Sequence, residues 1–118
     1  MEYFSVENTN VMPREKILVV DADLDSLSRI YLALIHRRFK TEACNDPHEI
    51  PERLKRFKPA VIVLGIKDYG TLSQKLKIPA IVLAEKDDQS TIELNYGDIH
   101  LKKPVHAEQL IKTVEMLV

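Results

Sequence analysis

Hydrophobic and polar positions follow two alternating patterns along this chain of 118 residues. Short continuous apolar runs at 17–20, 61–64 and 81–83 are typical of strands buried on both faces, as parallel strands covered by helices are. Helical periodicity appears between and after these runs, with apolar stripes within 24–35 and 110–117. The alternation predicts an α/β fold built on a doubly wound parallel sheet of five strands.

Weaker signals predict the second strand and the helix after it. Residues 41–44 are expected to form that strand. The sequence Asp46-Pro47-His48-Glu49 then combines a capping aspartate, a proline and an acid, as a helix start does. Pro51 lacks the N–H that a helix needs, so either the first turn is distorted or the helix begins there.

The other segments are shorter or less regular. Short helices, the third and fourth of the fold, are predicted over 69–77 and 89–96. Residues 1–15 are polar, without periodicity and interrupted by Pro13, so we expect a flexible N-terminal extension before one domain over 16–118.

Composition indicates a soluble, cytoplasmic protein or the cytoplasmic part of one. The 17 basic and 18 acidic residues nearly cancel, so no global field recruits nucleic acid or a membrane. The single Cys44 excludes an internal disulfide and fits a reducing compartment. No apolar stretch approaches the roughly 20 residues of a bilayer span, and residues 1–14 lack the features of a signal peptide.

The usual constellations of enzymes and metal sites are missing from the sequence. Three glycines are too few for a phosphate-binding loop, and the serines lack a histidine arrangement that would activate a nucleophile. The histidines have no metal-ligand spacing; they are His36, His48, His100 and His106. We therefore expect no enzyme and no cofactor.

The residues that end the strands carry the most specific signal. Val61-Ile62-Val63-Leu64 is followed by Gly65, the first apolar run by Asp21, and the third by Ala84, while Leu101-Lys102-Lys103-Pro104 lies near the C-terminus. This series resembles the receiver domain of bacterial two-component response regulators across about residues 16–118. The resemblance implies a flavodoxin-like strand order 2-1-3-4-5, with the site beyond the carboxyl ends of the strands.

In receivers that site is an aspartyl phosphorylation site. Two acids after the first strand and the acceptor aspartate after the third bind Mg²⁺. A Ser or Thr after the fourth strand and a Lys before a proline bind phosphate oxygens. The resemblance maps the first acid onto Asp21 and the lysine onto Lys103, which Pro104 follows. We expect Lys103 to form an ion pair with Asp21 and the Lys103–Pro104 peptide bond to be cis.

Four other positions depart from the receiver pattern. Gly65 replaces the phosphate acceptor, Ala22 the second acid and Ala84 the hydroxyl residue, while Glu85 stands where receivers prefer a small residue. Asp23 lies one residue too late to be the second acid. The combination predicts that phosphoryl chemistry has been abandoned and that Mg²⁺ binding is lost or weak.

Other acids leave alternatives open. Asp68 could be a displaced acceptor, but it is expected to lie in a loop that no longer converges with Asp21 and Lys103. A weak cation site is a second alternative, for which Asp21 and Asp23 are the first candidates; the further acids are Asp68, Asp87 and Asp88.

We therefore expect a degenerate pseudo-receiver that acts as a phosphorylation-independent protein-interaction module. Its partner would be another signalling protein or a second copy, with neither nucleic acid nor membrane involved. The alternatives are a divergent receiver that a histidine kinase still phosphorylates and a flavodoxin-like binder of a small ligand in the vacated acceptor pocket. The sequence identifies neither the partner nor the oligomeric state.

The predicted partner surface follows from the short fourth helix. A helix over 89–96 is too short and polar to cover the fifth strand and the last helix, so apolar surface should remain exposed. His100 also occupies the aromatic switch position of receivers. The partner-facing candidates are Ile92, Tyr96, His100, Val105 and Ile111.

Overall fold

Five parallel strands form a single sheet in the order β2-β1-β3-β4-β5 in a computed structural model that describes residues 14–88 and 93–118. The strands are β1 (Arg14–Val20), β2 (Phe39–Cys44), β3 (Val61–Gly65), β4 (Ala80–Ala84) and β5 (Ile99–Lys102). The helices of the described part are α1 (Leu24–His36), α2 (Ile50–Phe57), α3 (Ile66–Leu72) and α4 (Ala107–Leu117). The predicted flavodoxin-like fold and strand order are confirmed.

Alternate strand residues face opposite layers of helices. Ile17 and Val19 of β1 pack in the core beneath α1 and α4, whereas Leu18 and Val20 pack in the core beneath α2 and α3. The residues 61–64 of β3 are likewise fully buried. Burial on both faces explains why these strands are continuous apolar runs rather than alternating ones.

Local signals fix the starts of the first two helices. The Oδ1 atom of Asp23 accepts hydrogen bonds from the backbone N–H of Asp25 at 3.0 Å and of Ser26 at 3.4 Å, which caps α1. A 3-10 turn over Pro47–Glu49 precedes α2, and Asp46 caps it by accepting from the N–H of His48 at 3.0 Å. The predicted distortion around Pro51 therefore takes the form of this turn.

The third and fourth helices differ from the prediction. The third helix begins at Ile66, directly after β3, and ends at Leu72 rather than covering 69–77. Residues 89–92 of the predicted fourth helix lie outside the described residues, and residues 93–96 are not helical.

Hydrogen bonds to Tyr69 explain why residues 93–96 form no helix. The backbone N–H of Asn95 donates to the Tyr69 hydroxyl at 2.7 Å, and this hydroxyl donates to Asp98 Oδ2 at 2.7 Å. Asp98 Oδ1 in turn accepts from the N–H of Ala80 at 2.9 Å. The Asn95 N–H is thus committed to α3, and burial raises the pKa of Tyr69 above its ordinary value.

The described residues also locate the start of the sheet. β1 begins at Arg14, whose N–H donates to the carbonyl of Arg38 at 2.8 Å, so the strand includes the last two residues of the predicted 1–15 extension. Residues 1–13 lie outside the described part. β2 begins at Phe39, before the predicted 41–44. No helix that the structure describes has the length and apolarity needed to cross a bilayer.

Candidate functional site at the carboxyl ends of the strands

Parallel pairing brings the ends of four strands to one edge of the sheet. Asp21 follows β1 and its N–H donates to the carbonyl of Cys44 at 3.0 Å. Lys103 follows β5 and its N–H donates to the carbonyl of Ala84 at 2.8 Å. These bonds extend the strand ladders by one residue, and both residues line a cavity together with Gly65. The Lys103–Pro104 bond is cis, as predicted.

Lys103 forms the charged centre of the site. Its Nζ atom lies 2.9 Å from Asp21 Oδ2 and 3.1 Å from Glu85 Oε2. The side chains of Lys103 and Asp21 are only 13% and 9% exposed, whereas that of Glu85 is 72% exposed. Burial lowers the pKa of Lys103, but the contacts with Asp21 and then Glu85 outweigh it, so the pKa is raised. The predicted ion pair with Asp21 is confirmed; the contact with Glu85 was not predicted.

The Asp21 carboxylate is fully committed within the site. Its Oδ1 atom accepts a hydrogen bond from the backbone N–H of Asp23 at 3.0 Å. Its Oδ2 atom is buried, and the Lys103 Nζ atom that lies 2.9 Å away is its ion-pair partner. Removing Lys103 would therefore leave a buried charge without compensation.

Gly65 is not required by the backbone. It has φ −71° and ψ 159°, an extended conformation that any residue adopts. A Cβ atom placed there would meet only Asp68 Oδ2 within 4 Å, at 4.0 Å, which is ordinary contact. Since neither conformation nor packing demands glycine, its effect at this position is the absence of a carboxylate.

Asp68 corrects one expectation. It was expected to lie in a loop that does not converge with Asp21 and Lys103, but it lies in the first turn of α3. All three side chains line one cavity of about 240 Å³, together with Gly65 and Ala22. Burial, and then repulsion from Asp21, raises the pKa of Asp68. Because α3 begins directly at the strand end, a residue three positions after Gly65 faces back towards the site.

The remaining acids are less central. The Oδ1 atom of Asp23 accepts the hydrogen bond that caps α1. Asp23 also lines a neighbouring cavity of about 210 Å³ together with Glu85 and Lys103. Asp88 borders the same cavity as Asp68, whereas Asp87 is not among its lining residues. Within 14–88 and 93–118, no group of three or more His, Cys, Asp or Glu side chains is arranged to hold a metal ion.

The described residues among the five partner-facing candidates differ in solvent exposure. Tyr96 is fully exposed and His100 is exposed on β5. Val105 is partly buried against the core beneath α1 and α4. The prediction for Ile111 was wrong, because its side chain is 2% exposed and completes that core. Ile92 lies outside the described residues.

Comparisons with solved structures show that this fold is the receiver-domain fold. The signal receiver domain of a putative Luxo repressor protein from Vibrio parahaemolyticus matches with a TM-score of 0.71 at 14% identity, over 87% of this chain and 88% of that one. The N-terminal domain of a response regulator/sensory box/GGDEF protein from Carboxydothermus hydrogenoformans gives 0.72 at 19% identity, over 87% and 93%. The receiver domain of the Francisella response regulator 1452 gives 0.71 at 22% identity, over 88% and 96%.

Sequence comparisons add a partial relative. No family model matches the chain. An uncharacterized 76.5 kDa protein in the phbC 3′ region of Thiocystis violacea is 27% identical in an alignment 116 positions long, and the match covers 86% of this chain and 17% of that protein. The chain thus spans about a sixth of the length of this curated relative.

The receiver fold implies a Mg²⁺ site that these residues do not fit. Such a site needs several oxygen ligands facing one point. Ala22 and Gly65 supply no side-chain oxygen, and an ammonium already lies 2.9 Å from Asp21 Oδ2. A cation would have to displace Lys103 before it reached that oxygen.

Proposed function

We propose that this chain is an atypical receiver domain, in or derived from two-component phosphorelay signalling, that acts as a protein-interaction module without being phosphorylated. The observation that carries the proposal is the closed state of the strand-end site. Lys103 contacts two carboxylates, and the strand end opposite it has only Gly65. The proposal includes no enzymatic activity.

Electrostatics supports this proposal. A phosphoryl group entering the site would bring negative charge next to four acids, Asp21, Asp68, Glu85 and Asp88, whereas two lysines line the cavity, the exposed Lys67 and the already paired Lys103. Ala84 offers no hydroxyl to donate a hydrogen bond. The side chains therefore disfavour a bound phosphoryl group in the place where receivers stabilise one.

Acetyl phosphate with Mg²⁺ tests the proposal, with intact mass spectrometry as the readout. We expect no phosphate adduct on the unaltered chain, and none on Gly65→Asp alone. The positive control restores the whole set: Ala22→Asp, Gly65→Asp, Ala84→Thr and Glu85→Ala together should acquire an adduct. A stoichiometric adduct on the unaltered chain would contradict the proposal.

A second candidate, phosphorylation at Asp68, is favoured by one observation. Its carboxylate lies beside Gly65 and Asp21, close to where a strand-end aspartate would project. In the same assay this function predicts an adduct that Asp68→Asn abolishes. An adduct that persists in Asp68→Asn would exclude Asp68 as the acceptor.

The partner is proposed to be another signalling protein or a second copy of the chain. The surface offered is the exposed side of β5 and the turn before it, where Tyr96 and His100 lie. Light scattering of Tyr96→Glu and His100→Glu tests self-association. Leu32→Glu is the matched control, because Leu32 is 58% exposed on α1. Equal effects of all three changes would argue against this surface.

A further inference from the structure

A groove at the end of the molecule opposite the candidate site combines an apolar floor with a basic rim. It has a volume of about 420 Å³ and lies between the C-terminal end of α2 and the segment joining α3 to β4. The side chains of Leu54, Leu76 and Ile78 line it and are partly buried against the core beneath α2 and α3. The groove therefore exposes the edges of apolar side chains that the core holds in place.

Four lysines surround this groove, two on each side. Lys55 and Lys58 belong to the end of α2, and Lys75 and Lys77 to the segment before β4. All four are exposed, and no acidic side chain within residues 14–88 and 93–118 lines the groove. Among the described residues, none of their ammonium groups takes part in an ion pair.

Unlike these four lysines, the neighbouring Arg53 and Arg56 form ion pairs with carboxylates. Arg53 lies 3.0 Å from Glu42 and 2.9 Å from Glu49, and Arg56 lies 3.1 Å from Glu42. Hydrogen bonds from Arg56 and Arg53 lower the pKa of Glu42 despite its burial. In the part of the chain that the structure describes, carboxylates therefore pair with the β2 side of α2 and none lines the groove side.

We propose that this groove binds an acidic peptide segment of a partner protein, with one large apolar side chain seated on the floor and carboxylates facing the lysines. The four lysines favour an anionic ligand, and the apolar floor favours an aliphatic or aromatic side chain as its anchor. The volume lies within the roughly 300–1,000 Å³ typical of sites that enclose a ligand group. This inference is independent of whether the strand-end site accepts phosphate.

Other anions fit the groove less well. Single-stranded nucleic acid binds through aromatic stacking platforms, and none of the described residues that line the groove is aromatic. Membrane surfaces are bound by protruding amphipathic faces, whereas these apolar groups lie in a concavity. A peptide can place one apolar side chain on the floor of the groove and carboxylates beside the lysines on both sides.

Fluorescence polarisation with labelled synthetic peptides tests the proposal. The probe has one leucine flanked by glutamates; in one matched peptide serine replaces the leucine, and in another lysines replace the glutamates. We expect the first peptide to bind and each matched peptide to bind about tenfold more weakly or not at all. Equal binding of the leucine and serine peptides would overturn the role of the floor.

Charge reversals on each side locate the binding. Lys55→Glu/Lys58→Glu and Lys75→Glu/Lys77→Glu should each weaken binding about tenfold, because each places two repulsive charges beside the peptide. Lys40→Glu/Lys112→Glu is the control, since both lysines are exposed outside the groove. Equal weakening by the control, or tighter binding of an oligonucleotide or of anionic vesicles than of the peptide, would overturn the proposal.

Discussion

Replacement of Lys103 by methionine tests whether the ion pair keeps the strand-end site closed. The methionine retains most of the aliphatic stem but removes the ammonium that lies 2.9 Å from Asp21 Oδ2. Breaking a buried pair costs about 3–5 kcal/mol, because one charge stays buried without compensation. The second partner of the ammonium, Glu85, is exposed, so only Asp21 would be left as a buried charge. We therefore expect a cost in the lower part of this range, about 3 kcal/mol.

A double-mutant cycle separates the pair from the loss of packing. Asp21→Asn should cost less than Lys103→Met, because the remaining lysine still contacts the exposed Glu85. The double variant buries neither charge, so the coupling between the two positions should reach about 1–3 kcal/mol. Glu85→Gln is the control and should cost at most about 1 kcal/mol, as exposed pairs do.

Urea denaturation followed by circular dichroism at neutral pH measures these free energies of unfolding. The raised pKa of Lys103 gives the expected pH dependence. Its contribution is fully present below the ordinary lysine pKa of about 10.4 and is lost as pH rises through the higher folded value. A coupling below about 0.5 kcal/mol would refute the idea that the pair holds the site together.

Further variants test the neighbouring features. The raised pKa of Asp68 means that its ionisation opposes folding, so Asp68→Asn should gain stability relative to the unaltered chain as pH rises above about 4, and a difference that is flat with pH would contradict this. Tyr69→Phe should cost about 1–3 kcal/mol in urea, because the Asn95 N–H loses its acceptor; an unchanged midpoint would show that water replaces the hydroxyl. Ile111→Ala should cost about 2–5 kcal/mol and Tyr96→Ala under about 0.5 kcal/mol, and the reverse order of melting temperatures would contradict their burial.

Strand composition and strand-end residues were enough to predict the sheet, because runs buried on both faces have few alternative arrangements. The resemblance to receivers paired Lys103 with Asp21, and parallel strands bring the two residues to one edge of the sheet. The position of Asp68 was missed because the third helix was predicted over 69–77, which left Asp68 in a loop, whereas α3 begins directly after Gly65. Periodicity cannot distinguish a helix of seven residues from a turn when tertiary contacts decide.

The lysine-rimmed groove shows another limit of sequence reasoning. Lys55 and Lys58 lie at the C-terminal end of α2, where cations complement the helix dipole, so their place in the sequence does not indicate a binding site. Lys75 and Lys77 lie in a different part of the chain, and only the parallel order of β3 and β4 brings the two pairs together. Charge clusters assembled by tertiary structure have no signature along the sequence.

The strand-end site also shows why a single lost aspartate is hard to restore. Gly65 leaves a space into which the Asp68 carboxylate projects, with its Oδ2 atom 4.0 Å from where a Cβ would lie. An aspartate introduced at position 65 would enter beside Asp68 and Asp21, and Lys103 already has two carboxylates as partners. The new aspartate would join Asp21, Asp68 and Glu85, and this nearby negative charge would favour its protonated form and make it a poor nucleophile. The loss of the acceptor and the inward position of Asp68 therefore act together, so an aspartate at position 65 alone should not restore phosphoryl chemistry.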